Sequence, residues 1–364
     1  MGTPVNSLVI FSILASVTLT SACSAVFQAP TRSKYYLVSL RSNSVDIRLL
    51  TDEGGEPIAV QNDGLLGIAA QSAAIDPLGK FLWLCNDSTI TTYPFSGATG
   101  QVGESTGSIT LAGSTGTCKL TMHPSGRYLI AAISTNSRTV SLSIDPATGA
   151  LRDVETRLLS GGTIAYMHSS GLHAILSGIT LRIIEFDPAN GLFGGSTNIS
   201  LGGLTQLTAY RESPSHDHLV IINNGSLMLI GINPASGEIS DTSSLATVSS
   251  LSNGFVGFAD THLAHHPFLP WVAFLNNADG TIRLYSYEGG DHFSLLQSIA
   301  ASGQHCFAFQ FHPTGNTFYC SNGAYLRTYS LSMDGTATAV SSITASGWVS
   351  LNSFQLFKVR APLN

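Results

Sequence analysis

Apolar residues in this chain come in short runs, and the runs are punctuated at regular intervals by proline, glycine and aspartate. The stretch from Thr121 to Leu151, TMHPSGRYLIAAISTNSRTVSLSIDPATGAL, shows the unit most clearly. His123-Pro124-Ser125-Gly126 reads as a turn, Arg127 to Ile133 as an apolar strand, Asn136 to Arg138 as a polar loop, and Thr139 to Ile144 as an alternating strand. Asp145-Pro146-Ala147-Thr148-Gly149 closes the unit as a second turn. Proline presets φ early in such turns and glycine takes the left-handed position, so both turns have a mechanism.

The unit recurs. Equivalent first-turn positions are Asp76, His123, His168, Glu212, His266 and His312, spaced by 47, 45, 44, 54 and 46 residues. Each is followed by two apolar strands (FLWLC and TITTYPF in one unit, WVAFL and TIRLYSY in another) and then by a second turn such as Asp187-Pro188-Ala189-Asn190-Gly191. An apolar strand also precedes each first turn: TCKLTM, TIAYM, QLTAY, HLAH and CFAFQF. No long 3.6-residue periodicity competes. Several short strands repeating every 40 to 50 residues predict an all-β propeller, because one small sheet cannot bury both faces and a ring of stacked sheets can.

The two ends complete each other. Lys34 to Val60 carries two strands (YYLVSL and VDIRLL) and the turn Asp52-Glu53-Gly54-Gly55, but lacks the strand and turn that open the other units. Asn352 to Val359 matches that missing strand and has no turn after it. The expected fold is therefore a seven-bladed β-propeller over residues 34–364, closed by pairing of the C-terminal strand with the N-terminal blade.

Composition narrows the setting. Only 10% of the residues are Asp, Glu, Lys or Arg and the net charge is −6, with no basic run, so nucleic acid is not the expected partner. Leu8 to Leu19 is an apolar run too short to span a bilayer. It predicts a signal peptide over residues 1–23. Leu19-Thr20-Ser21-Ala22-Cys23 resembles a bacterial lipobox, with Cys23 as the lipidated residue, although no Lys or Arg precedes the apolar run and Thr20 stands where the motif has Leu. Residues 24–33 then read as a tether. The expected location is the bacterial envelope through a lipid anchor, or, with ordinary cleavage near Ala22 or Ala25, the periplasm or medium. Cys85, Cys118, Cys306 and Cys320 remain, an even number that permits disulfides in three connectivities or four buried thiols. Cys306 and Cys320 flank one turn, about one residue out of cross-strand register.

The pattern His-Pro-x-Gly, strand, Asn-containing loop, strand, Asp-Pro-x-x-Gly resembles the seven-bladed lactonase propeller family, which includes bacterial phosphogluconolactonases and fungal carboxymuconate cyclases. The resemblance covers Lys34 to Val359. It implies an Arg-His pair entering an innermost strand and an Asn-Glu pair after the next strand, both facing the mouth of the central channel. Here the closest match is Thr261-His262 ahead of His266-Pro267, followed by Asn276-Asn277. Thr261 replaces the arginine that would hold an anion bidentately, and Asn277 replaces the glutamate that would move a proton. His262 remains as the candidate catalytic group. Lys119, Gln304 and His305 enter the same channel end and, with Asn276 and Asn277, are candidate ligand-binding residues. The expectation is a monomeric, exported lactone hydrolase without a cofactor or metal. The alternative is a non-catalytic cell-surface propeller that binds a ligand or protein. Export argues against a cytosolic phosphosugar lactone as substrate.

Other motifs read as architecture. His123, His168, His266 and His312 recur at one turn position, which predicts imidazoles bonded to backbone. His262, His265 and His266 do not make a metal set, since His265 points away from the other two in a strand. His216-Asp217-His218 is expected to face solvent. Gly103-Glu104-Ser105-Thr106-Gly107 matches G-x-S-x-G, but that motif needs a strand-to-helix elbow and lies here in a Gly/Ser/Thr-rich stretch. Asn86, Asn136, Asn223, Asn276 and Asn322 follow the second strand of their units and read as turn residues.

Overall fold

The structure is a computed structural model. It describes residues 31–40, 44–52, 54–60, 69–112, 116–133, 138–158, 162–178, 181–199, 207–213, 215, 217–223, 226–241, 263–276, 281–287, 293–300, 306, 308–321, 325–344 and 353–362. These form seven four-stranded antiparallel sheets. The first combines β1 (Thr31–Leu40), β2 (Val45–Leu50) and β3 (Ile58–Ala59) with β28 (Ser353–Pro362) at its edge. The second holds β4 (Ser72–Ile75), β5 (Phe81–Asn86), β6 (Thr89–Pro94) and β7 (Gly107–Thr110). The third is β8 (Cys118–Met122), β9 (Tyr128–Ile133), β10 (Arg138–Ile144) and β11 (Leu151–Leu158). The fourth is β12 (Gly162–Met167), β13 (His173–Gly178), β14 (Leu181–Asp187) and β15 (Leu192–Ile199). The fifth is β16 (Leu207–Glu212), β17 (His218–Asn223), β18 (Ser226–Ile232) and β19 (Ile239–Asp241). The sixth is β20 (Leu263–His265), β21 (Trp271–Asn276), β22 (Thr281–Ser286) and β23 (Ser294–Ala300). The seventh is β24 (Ala308–Phe311), β25 (Thr317–Ser321), β26 (Tyr325–Leu331) and β27 (Ala337–Thr344).

The chain ends pair as expected and further. β28 lies antiparallel to β1 from Leu40↔Ser353 to Thr31↔Pro362. β1 thus reaches back into the stretch read as tether, because Thr31, Arg32 and Ser33 find ladder partners in Pro362, Ala361 and Arg360.

Apolar faces are buried between consecutive sheets. Trp83, Ile90 and Leu111 of the second sheet pack with Leu129, Val140 and Leu142 from the third. Equivalent clusters lie between the first and second, third and fourth, fourth and fifth, fifth and sixth, and sixth and seventh sheets. Another, built on Leu37, Leu50, Tyr319 and Leu326, lies between the seventh and the first. Burying each such side chain contributes about 1.5 to 3 kcal/mol, so stability resides between sheets more than within them.

A polar-tipped aromatic device repeats across these interfaces. Tyr36 Oη donates to Gly97 O (2.9 Å), Trp83 Nε1 to Gly149 O (3.0 Å), Tyr128 Oη to Ala189 O (3.2 Å) and Tyr319 Oη to Gly55 O (3.3 Å). In each case the second strand of one sheet satisfies a carbonyl in the second turn of the next. The ring fills the interface and the tip meets a backbone group that burial would otherwise leave unpaired.

First turns are linked in the same direction. His123 Nδ1 accepts from Ser125 N (3.1 Å), which leaves Nε2–H to donate to Gly171 O (2.9 Å) in the next sheet. His266 Nδ1 accepts from Leu269 N (2.9 Å), and its Nε2–H donates to Gly315 O (2.9 Å). The turn histidines are therefore architectural, as their repetition predicts. Gly171 must be glycine here: its φ is +72°, and a Cβ would sit 2.8 Å from His123 Nε2. Burial holds His123, His266 and His312 below the ordinary imidazole pKa, which favours the neutral ring in the fold.

Two disulfides form, Cys85–Cys118 and Cys306–Cys320, with Cα separations of 6.0 and 5.9 Å. This resolves the open choice between bridges and thiols. Cys85 on β5 and Cys118 on β8 join neighbouring sheets. Cys320 pairs in the ladder with Phe309, three residues from Cys306 rather than one. Cys306 reaches it from just ahead of β24.

Candidate functional site

The first strands β28, β4 and β8 lie side by side, and so do β16, β20, β24 and β28. Their starting ends carry the residues that do not repeat. Lys119, the second residue of β8, is half-buried and sits opposite Ala132. Gln355 of β28 spans the neighbouring strand. With its amide oriented so that both ends are satisfied, Nε2 donates to Ala73 O (2.8 Å) and Oε1 accepts from Lys119 Nζ (3.2 Å). One glutamine thus connects three successive sheets.

The neighbourhood of Lys119 is held from two sides. Ser72 Oγ accepts from Leu120 N (2.9 Å), and Gln71 Oε1 accepts from Cys118 N (2.8 Å) and Asp87 N (3.1 Å). Gln71 Nε2 donates to Asp87 Oδ1 (3.0 Å). Asp87 occupies the left-handed region at φ 51°, which aspartate tolerates better than most residues. The disulfide to Cys85 fixes the residue just before Lys119. This end of β4 and β8 is preorganised by covalent and side-chain-to-backbone links.

Lys119 stands four residues before His123, as His262 stands four before His266 and Ser72 four before Asp76. Lys119 and His262 therefore occupy the same place in the repeat. His262, Asn277, Gln304, His305 and Cys23 lie outside the described residues. Asn276 ends β21, two residues past the Leu263–Phe274 pair, at the end where β20 begins. Of the residues singled out from sequence, the structure places Lys119 and the backbone of Asn276. It adds Gln355, Gln71 and Ser72, which sequence reading missed. The available signal for Gln355 was a lone amide inside the apolar C-terminal strand.

Chemically, an ammonium beside an amide can hold a carboxylate or a developing oxyanion. Among the described residues no three His, Cys, Asp or Glu side chains gather as a metal set. The G-x-S-x-G stretch runs irregularly into the exposed strand β7 and meets no helix, so it is not a nucleophile elbow.

His265 lies instead against Tyr287, with Nδ1 3.3 Å from the phenol oxygen. His218 Nδ1 bonds Asp217 Oδ1 at 2.7 Å, with side-chain exposures of 35% and 50%, so the pair faces solvent as expected, while His216 lies outside the described residues. Burial pushes the Asp217 carboxyl up, but bonds from Ser215 and His218 outweigh it and leave the group below the usual carboxylate range. Burial, with the Asp217 charge, raises the Tyr287 phenol.

No protein-family model and no curated protein matches the sequence. Solved structures do match in shape. A periplasmic gluconolactonase from Pseudomonas aeruginosa superposes with a TM-score of 0.70 at 14% identity, covering 90% of this chain and 100% of the other. A Bacteroides fragilis protein named as a candidate 6-phosphogluconolactonase gives 0.71 at 12% identity, covering 89% and 98%. The Cps50 (Swd1) β-propeller domain from Myceliophteria thermophila gives 0.53 at 15% identity, covering 76% and 85%. At these identities the likeness shows the fold alone: an all-β, propeller-like architecture.

Proposed function

We propose that the chain is a lactonase-like propeller whose seven sheets are blades of one closed ring. The cyclic order of the interface clusters supports closure, since the seventh sheet packs on the first as the others pack on their successors. The pairing of β28 with β1 joins the ends without a covalent link. The starting ends of the first strands then surround the mouth of a central channel, and a lactone is the ligand this mouth takes.

The observation that carries the reading is the superposition of 90% of this chain on a gluconolactonase, with a bonded lysine at the repeat position that His262 also holds. In this mechanism water adds to the lactone carbonyl carbon while His262 accepts its proton. Lys119 and the neighbouring amides stabilise the oxyanion. The ring C–O bond breaks, the proton passes to the departing alkoxide, and a hydroxy acid leaves.

The two disulfides support an oxidising compartment and so an exported protein. The leader over residues 1–23 and lipidation at Cys23 belong to the same proposal. Hydrolysis of a panel of sugar, aromatic and acyl lactones tests the catalytic reading. Turnover that falls at least a hundredfold in both His262→Ala and Lys119→Ala carries it. A panel without turnover, or turnover unchanged by both variants, removes it and leaves a ligand-binding propeller.

A further inference from the structure

At the opposite end of the same strands lies a half-open groove of about 420 Å³, where the first turns of the second and third sheets meet the end of β28. Its rim carries Lys80, Arg127, Lys358 and Arg360. Four of the 16 Lys and Arg residues of a chain with net charge −6 converge on this one concavity.

All four are exposed, and none makes an ion pair among the described residues. Arg127 lies 5.6 Å from the centre of the Tyr128 ring and reaches Ala189 O at 3.5 Å. One carboxylate, Asp76, also lines the groove, so four positive charges against one negative leave three in excess. Asp76 Oδ2 is occupied by Lys80 N at 3.1 Å, a bond internal to the turn.

The groove is a built feature. Arg360 N donates to Pro77 O (2.8 Å), which docks the end of β28 onto the second sheet. Between the two cations of β28, Val359 is fully buried against Gly79 and Gly97, where a Cβ on Gly79 would stand 2.4 Å from Val359 Cγ1. The lining also includes apolar Phe81, Pro124 and Ile144, of which Phe81 is buried and Pro124 exposed.

We propose that this groove binds a phosphate-type oxyanion carried on an apolar body. Unpaired cations around a concave surface focus positive potential, which attracts a multiply charged oxyanion more than a neutral sugar. Arginine adds a fork matched to phosphate oxygens. The ligand has two sources with this chemistry, a free phosphate ester or an anionic lipid headgroup. β1 begins at Thr31 beside Pro362, so the chain before it enters at this same end of the fold. A headgroup would therefore meet the groove whenever the preceding segment sits in a membrane.

Amine footprinting of the full chain separates these sources. Lys34, Lys80, Lys119 and Lys358 are its only lysines, and Lys119 at the far mouth is the internal control. Acetylation would be read by mass spectrometry in detergent with and without glycerol 3-phosphate, and after reconstitution into phosphatidylcholine or phosphatidylglycerol vesicles. Protection of Lys80 and Lys358 by severalfold with the soluble ester assigns a free ligand. Protection only in phosphatidylglycerol vesicles assigns a headgroup. In either case R127Q/R360Q removes the protection while melting as the parent does. Labelling unchanged in both arms, protection shared equally by Lys119, or protection that persists in R127Q/R360Q overturns the proposal. If that double variant does not fold, K358Q alone, read at Lys80, decides in the same way.

Discussion

The two ends of the first strands are built on opposite principles. At the turn end the same device recurs: a buried imidazole or aromatic tip meets a carbonyl of the next sheet, as His123 meets Gly171 and His266 meets Gly315. At the starting end the residues differ from sheet to sheet, with Ser72, Lys119 and His262 in one repeat position. Repetition marks a geometric requirement, because every interface must satisfy the same backbone groups. Singularity marks a position whose side chain the shared geometry of the repeat does not dictate.

The comparison can be broken most directly by removing what joins the ends. Deleting residues 353–362 takes away β28, its ladder to β1 and the buried Val359. We expect loss of the cooperative melt by circular dichroism, not a modest shift. A truncated chain that melts like the parent would contradict the ring. Next in size is the covalent link: Cys85→Ser with Cys118→Ser should cost about 2 to 4 kcal/mol in denaturant unfolding. It should also loosen the strand that carries Lys119.

His123→Ala removes a donor and leaves Gly171 O unpaired in a buried interface, a loss of about 1 to 3 kcal/mol. Lactone turnover in that variant should stay near the parent value at a temperature where both are folded. The pH dependence follows from the same groups. Burial lowers the pKa of His123, His173, His266 and His312, so protonation favours the unfolded chain. Their contribution is complete above the unfolded value of about 6.5 and is lost as pH falls through the folded values. Calorimetry from about pH 7 to about pH 5 should show a falling Tm, with a shallower slope in His266→Gln. The smallest expected effect on stability is at the other end. Lys119→Ala should change unfolding by less than about 1 kcal/mol, as polar contacts of a half-exposed side chain are worth little, yet it should remove lactone turnover.

Much of this was legible in advance because its signals are local. Pro and Gly at fixed offsets marked the turns, and the missing strand at one end matched the spare strand at the other. The histidines could be assigned to architecture because they recur. Other features were not legible. The tyrosine and tryptophan tips of Tyr36, Trp83, Tyr128 and Tyr319 stand in apolar runs, and nothing in a run shows that its polar atom meets the next sheet. The Cys85–Cys118 pairing joins positions 33 residues apart on different sheets, where local register says nothing. Gln355 belongs to the site only because β28 lies beside β4 and β8.

By itself the sequence determined the strands, the turns, the period and the joining of the two ends, because each depends on backbone preferences and alternation within a few residues. The tertiary structure alone decided which cysteines pair, which amide touches Lys119, and how Lys80 and Arg127 come together with Lys358 and Arg360. Stacking of sheets sets these meetings. The packing angle between two sheets is a property of both apolar faces together and is written in neither strand.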